Sequence, residues 1–178
     1  RLLYPEYKSN RERNHIVDCL RDLYVFKSDA KYSDTLEADD LIADRAKEIG
    51  EYGFIVITID KDLQQIPGFM YNFYRKPPLR NKDTGEVIQE FPRKGLTYTG
   101  EFEAKKFLAQ QIIMGDSGDK IPGLPKYGKA KSAKIIDNIK TVFGLIKAVA
   151  KEYKKVYGEE NWREELMLTF RLVYLGAF

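Results

Sequence analysis

The stretch Met114–Ile136 constrains this chain more than any other. An apolar run predicts a helix that ends near Met114. Two carboxylates, Asp116 and Asp119, follow in a glycine-rich loop. Pro122, Gly123, Pro125 and Gly128 then force a tight, rigid connection. A short basic helix is predicted from Gly128 or Lys129, carrying Ala133, Ile135 and Ile136. One loop therefore offers hard oxygen donors suited to a metal ion. The next offers backbone N–H groups at a helix N-terminus, suited to a phosphate. A generic helix-hairpin-helix with two solvated loop acids would account for the same residues.

Charge along the chain is segregated. Lys120–Lys155 holds ten lysines against Asp137 and Glu152, a net of +8. Glu37–Asp62 holds eight acids against Arg45, Lys47 and Lys61, a net of −5. The whole carries only +3. An acidic cluster beside a basic region suits a metal-dependent enzyme acting on a polyanion. Ordinary solvated helix faces would give the same pattern. The 178 residues suit one domain, or one domain with a small lobe. With 43% hydrophobic and 32% charged residues the chain reads as soluble and globular. No apolar run approaches the roughly 20 residues of a membrane helix, and no signal peptide opens the chain. The one cysteine, Cys19, excludes an intrachain disulfide and a Cys-rich zinc site, and the one histidine, His15, argues against a Ser-His-Asp triad. Cys19 lies in an apolar helical pattern and reads as a core thiol.

The remaining elements follow from periodicity. Residues 11–26 predict a helix whose Ile16, Leu20, Leu23 and Tyr24 share one face. A polar linker leads to a second helix over Asp34–Gly50, started by a capping box of Asp34 and Glu37. Its apolar stripe is Ala38, Leu41, Ile42, Ala46 and Ile49. Glu37, Asp40 and Asp44 fall together on another face, with Asp39 on the far flank. Acids here also suit the helix dipole. The β-branched run Phe54–Ile59 predicts a strand buried on both faces of a parallel sheet. Asp60 and Asp62 stand at its C-terminal end, where open α/β sheets place their sites. Asp60 also suits a simple N-cap. A short helix over Leu63–Ile66, a strand over Phe69–Tyr74 and a hairpin joining Leu79 to Glu86–Gln89 come next. Helices over Phe102–Met114, Val142–Tyr157 and Trp162–Leu175 complete the chain, with no internal repeat.

Four motifs give these pieces a common meaning. They are Tyr4-Pro5-Glu6-Tyr7-Lys8-Ser9-Asn10-Arg11, Glu37-Ala38-Asp39-Asp40, Thr58-Ile59-Asp60-Lys61-Asp62-Leu63, and Gly115-Asp116-Ser117-Gly118-Asp119-Lys120-Ile121-Pro122-Gly123. Together they resemble the flap endonuclease (5′-nuclease) family, and the wording is nearer its bacteriophage exonucleases than the 5′-nuclease part of bacterial DNA polymerase I. The chain departs from the family pattern at Lys120, which replaces Asn, and at Lys126, which replaces the first glycine of Gly-x-Gly. Lys131-Ser132-Ala133 matches the family's helix start only with one extra residue. The Lys8–Glu37 spacing is short, which implies a small helical arch.

The resemblance implies an α/β fold, a central mostly parallel sheet flanked by helices, with a helix–three-turn–helix DNA-binding part. Residues 1–113 would form the catalytic core and 114–178 the DNA-binding part. The implied activity is a structure-specific 5′→3′ exonuclease or flap endonuclease that hydrolyses phosphodiester bonds by a two-metal mechanism. Lys8 and Arg11 would reach the scissile phosphate, and Tyr7 would stack on a base. Glu37, Asp39, Asp40, Asp60, Asp62, Asp116 and Asp119 would hold two Mg²⁺ or Mn²⁺ ions. Lys126, Gly128, Lys129, Lys131, Ser132 and Lys134 would bind DNA, with K⁺ at the hairpin. The implied substrates are DNA with a 5′ flap, nick or free 5′ end, and an RNA–DNA hybrid. A monomer in the bacterial cytoplasm, encoded by the bacterium or a phage, is expected. The family also draws metal ligands from an N-terminal strand that precedes Tyr4 in the pattern, so an N-terminally truncated copy with impaired activity is expected. Two rivals stay open. A non-catalytic DNA-binding module needs only the basic hairpin, and a PIN-like RNase explains the acids but not that hairpin.

Overall fold

The computed structural model describes residues 4–9, 12, 14–27, 30–92 and 94–176. Helix α1 spans His15–Lys27 and α2 spans Ala38–Ile49. Strand β1 (Ile55–Ile57), a 3₁₀ turn (Asp62–Gln65) and β2 (Gly68–Asn72) follow. A surface hairpin, β3 (Leu79–Arg80) with β4 (Val87–Gln89), leads to β5 (Gly95–Thr99) and α3 (Glu101–Met114). Strands β6 (Gly115–Asp116) and β7 (Ile121–Pro122) precede α4 (Lys129–Ile136) and α5 (Val142–Val173). Helix α5 breaks at Gly158, whose φ of 78° and ψ of 177° leave the helical region, so two helical segments lie where two helices are expected.

The fold is α/β, as the motifs implied. Its main sheet is mixed: β1 and β2 pair in parallel, and β2 and β5 pair antiparallel, in the order β1-β2-β5. Register aligns Val56, Met70 and Thr97 on one face, and Ile55, Phe69 and Tyr98 on the other. Met70 is buried, and Val56 packs with Ala43, Ala46, Leu63, Ile66 and Leu175 in a core shared with α2. The opposite face leaves Ile55, Ile57, Leu96 and Tyr98 exposed. The expectation that the Phe54–Ile59 run is buried on both faces is thus corrected. Side chains alternate along a strand, and only one face of β1 meets a helical layer among the described residues.

A second core joins α3, α4 and α5. Ile112, Ile113, Leu124, Ile136, Leu145, Val149, Tyr153 and Leu172 are all buried in it. Tyr153 is 1% exposed, and its hydroxyl donates to the Ile112 carbonyl at 2.8 Å. The bond satisfies both polar atoms inside the apolar layer, where an unpaired one would cost about 1–3 kcal/mol.

Three further expectations change. Helix α1 buries none of its residues, and Ile16, Leu20, Leu23 and Tyr24 are exposed. Cys19, on that helix, is an exposed thiol rather than a core one. Helix α2 begins later than expected. Its N-cap is Glu37, whose N–H donates to Asp40 Oδ2 at 3.3 Å, so the capping box is Glu37–Asp40 and not Asp34–Glu37. Among the described residues no helix is long and apolar enough to cross a membrane.

Candidate functional site

The Gly115–Gly123 loop is folded back on itself by the short β6–β7 pair, which matches Gly115 with Pro122 and Asp116 with Ile121. Gly115 has φ +69°, and a Cβ there would strike the Ile121 carbonyl and the Gly123 amide. A Cβ on Gly123 would strike the Met114 carbonyl. Only glycine lets these two backbones pass so closely. The result projects Asp116 and Asp119 from one rigid turn at the end of α3.

That turn meets three other segments of the chain. A small cavity of about 20 Å³ is lined by Tyr7, Lys8, Glu37, Asp39, Asp62, Gln111, Asp116 and Asp119. The turn formed by residues 4–9 is tied to it by the Lys8 N–H, which donates to the Asp119 carbonyl at 3.0 Å. Lys8 has φ +53°, so its backbone turns sharply there. Its ammonium lies 2.5 Å from Glu37 Oε2 and 3.7 Å from Asp119 Oδ2. The Tyr7 hydroxyl donates to the same Glu37 oxygen at 3.1 Å. Burial alone would lower the Lys8 pKa; the bonds to Glu37 and Tyr7 outweigh it, and the value is raised.

On the other wall Lys61 donates to Asp116 Oδ2 at 3.1 Å and lies 3.9 Å from Asp62 Oδ1. Asp116 also accepts the Gly118 N–H at 2.8 Å. Burial would raise its pKa, but Lys61 and these backbone bonds hold it below the ordinary value. Asp62 behaves in the opposite way. Burial pushes its carboxyl up to about 6; Lys61 opposes this, while Asp60, Asp116 and Asp119 add to it. The acids outnumber the two lysines beside them, and every donor they offer a cation is a hard oxygen.

The structure brings Glu37, Asp39, Asp62, Asp116 and Asp119 to one cavity with Tyr7 and Lys8. Among the described residues, however, no group of three or more His, Cys, Asp or Glu side chains is gathered to hold one metal ion. Asp40 lies outside the cavity lining. It is 5% exposed, caps α2, and its Oδ1 accepts the Gly176 N–H at 3.1 Å. Asp60 also lies outside that lining; it lines a neighbouring cavity with Lys61, and its Oδ1 accepts the Asp62 N–H at 2.9 Å. Arg11 lies outside the described residues.

Two residues that contact the site's acids escaped the sequence. Gln111 is 5% exposed on α3, and its amide donates to Asp62 Oδ1 at 2.7 Å. Its oxygen accepts from Gln65 at 2.6 Å, and Gln65 also donates to the Val173 carbonyl. The Gln110-Gln111 pair beside the apolar run of α3 was the only signal available, and it does not say which of the two turns inward. Lys61 was visible between two aspartates, but nothing in the sequence gave it a partner 55 residues away.

The basic residues follow the same turn in the chain. Lys126, Lys129, Lys131 and Lys134 are exposed, and Gly128 is the N-cap of α4. Lys126 has φ +66° and Lys120 has φ +57°, left-handed conformations at the two positions where the family pattern has Gly and Asn. The Lys131 ammonium lies 3.3 Å from the Tyr127 ring centroid. Ser132 is fully buried. Its hydroxyl donates to the Lys129 carbonyl at 2.9 Å and accepts from Gln110, an internal role in α4.

No family model matches the chain. It is 29% identical over 144 residues to a DNA polymerase I of Borreliella burgdorferi, covering 78% of this chain and 15% of that protein. It is 27% identical over 187 residues to the flap endonuclease Xni of Shewanella oneidensis, covering 97% and 66%. Among solved structures, a T5 5′-exonuclease with divalent metal ions (zinc) bound superposes with a TM-score of 0.54 at 19% identity, covering 95% of this chain and 66% of that one. These likenesses bear out the family resemblance carried by the four motifs, and the last bears out the fold.

Proposed function

We propose that this chain is the nuclease part of a structure-specific 5′→3′ exonuclease or flap endonuclease that hydrolyses DNA phosphodiester bonds with divalent metal ions. One observation carries the reading: five carboxylates from three separate segments line one small cavity, with the Lys8 ammonium beside them. Asp62, Asp116, Asp119, Glu37 and Asp39 have the donor chemistry to hold Mg²⁺ or Mn²⁺. When bound, two such ions would activate water and stabilise the leaving oxygen.

The chain's own residues do the rest. Lys8 supplies a fixed positive charge where the phosphate becomes more anionic. Arg11, three residues on, is assigned the same work. Tyr7 presents a ring to an unpaired base at the substrate's 5′ end. Asp60 and Asp40 support the cavity from outside its lining by fixing the Asp62 backbone and the first turn of α2. The α4 N-terminus at Gly128, with Lys126, Lys129, Lys131 and Lys134, grips duplex phosphates without reading bases. Ser132 keeps that helix start in shape. A potassium ion at the hairpin belongs to the same reading, as does a division into a catalytic part over 1–113 and a DNA-binding part over 114–178.

The test compares substrates at matched concentration with Mg²⁺ or Mn²⁺. Labelled 5′-flap and nicked duplex DNA should be cut, and single-stranded RNA should not. Preferential cleavage of the RNA would favour a PIN-like RNase instead. Tight, metal-independent binding of the flap with no cleavage would favour a DNA-binding module.

A further inference from the structure

Lys61 bridges acids that the chain brings together from far apart. Its ammonium lies 3.1 Å from Asp116 Oδ2 and 3.9 Å from Asp62 Oδ1. Those side chains are only 13% and 24% exposed, whereas Lys61 is 62% exposed and reaches over them from solvent. Across the cavity Lys8 spans Glu37 and Asp119 in the same manner. The two lysines differ in freedom. Lys8 is anchored by its backbone bond to Asp119 and is half-buried. Lys61 sits on a long exposed stem that can swing away without disturbing the fold.

We propose that Lys61 is a positioning residue that takes a cation's place in the metal-free site. It holds Asp62 and Asp116 side by side and yields them when a divalent ion binds. The inference rests on the metal reading above. Two carboxylates drawn together without a counterion repel each other, so a mobile ammonium keeps the site assembled between catalytic cycles. The same ammonium competes with the incoming ion. A group that stabilises only the metal-free form must lower the apparent affinity for metal. Removing it therefore loosens the empty site and tightens metal binding, a combination that a merely structural lysine would not produce.

The experiment titrates the whole chain with Mn²⁺ alone at low ionic strength, following free Mn²⁺ by electron paramagnetic resonance. Wild type, Lys61→Met, Lys61→Gln and Lys61→Arg are compared, with thermal melting in EDTA and in Mn²⁺. Lys61→Met and Lys61→Gln should bind Mn²⁺ about tenfold more tightly than wild type, the scale of one nearby unit charge. Both should melt lower in EDTA and gain more from Mn²⁺, and Lys61→Arg should behave as wild type. Equal or weaker binding by both neutral variants, with clear uptake by wild type, overturns the role of Lys61 and leaves the metal reading intact. No Mn²⁺ uptake by any form overturns the metal reading and this inference with it.

Discussion

Lys8 is joined to Asp119 twice, by its backbone N–H to the Asp119 carbonyl at 3.0 Å and by its ammonium 3.7 Å from the carboxylate. The first tie fixes where the residue sits, and the second places its charge among the acids. Lys8→Met should therefore lower single-turnover cleavage by about 10²–10³-fold, the usual scale for one electrostatic donor at a transition state. Affinity for flap DNA should stay within a few-fold. A variant that loses binding and cleavage equally would make Lys8 an anchor and not a catalytic charge.

Lys126 holds a left-handed backbone conformation with an exposed side chain. For a residue with a Cβ that costs about 1–2 kcal/mol. Lys126→Gly should relieve it and raise stability by about 0.5–1 kcal/mol in thermal or urea unfolding, less than the full strain because glycine also gains freedom in the unfolded chain. Lys126→Ala keeps the Cβ and should show no gain. Equal effects from both substitutions would locate the change in the lost charge.

Asp62 sets a pH dependence with a definite sign. Its folded carboxyl titrates near 6, above its ordinary value of 3.8, chiefly through burial. Between those values the folded chain holds a proton that the unfolded chain has lost, so stability falls as pH rises through the window. The slope is at most about 1.4 kcal/mol per pH unit. Asp116 works the other way. Its pKa is lowered despite burial, so its contribution is lost as pH falls through and below 3.8. Melting temperatures from pH 3 to 8 in EDTA should therefore peak between the two effects. Asp62→Asn should remove the decline above the peak. An unchanged decline in that variant would assign it to other groups.

Salt dependence tests the basic surface. If Lys129, Lys131 and Lys134 neutralise phosphates, replacing all three with Ala should weaken binding to every duplex sequence alike. The slope of log affinity against log salt should flatten by about 0.9 for each phosphate that is no longer neutralised. An unchanged slope, or a weakening confined to some sequences, would count against phosphate anchoring at α4.

Much of this was legible because motifs carry local geometry. Pro122, Gly123, Pro125 and Gly128 announce a tight connection, and Lys129–Ile136 begins where Gly128 ends the turn. Periodicity was less informative about partners. It groups Ile16, Leu20, Leu23 and Tyr24 on one face of α1 but cannot say that this face is exposed. Cys19 was misplaced for the same reason. Strand β5 was missed because Leu96-Thr97-Tyr98-Thr99 is short, and its assignment depends on pairing with β2. Two acid pairs spaced by three residues, Asp34/Glu37 and Glu37/Asp40, compete for the cap of α2, and the sequence does not rank them. The Gln65–Gln111–Asp62 chain of hydrogen bonds joins three distant segments and leaves no local trace.

The carboxylates themselves are tested most directly by separating cleavage from binding. Wild type, Asp62→Asn and Asp116→Asn would be mixed with an end-labelled 5′-flap duplex in Mg²⁺ or in EDTA, with affinity read by fluorescence anisotropy. The wild-type chain should cut near the junction, however slowly, only with metal present. Both variants should bind the flap within a few-fold of wild type and leave it intact. Cleavage that persists in EDTA, or at the wild-type rate in both variants, would contradict a metal-dependent nuclease site at Asp62 and Asp116.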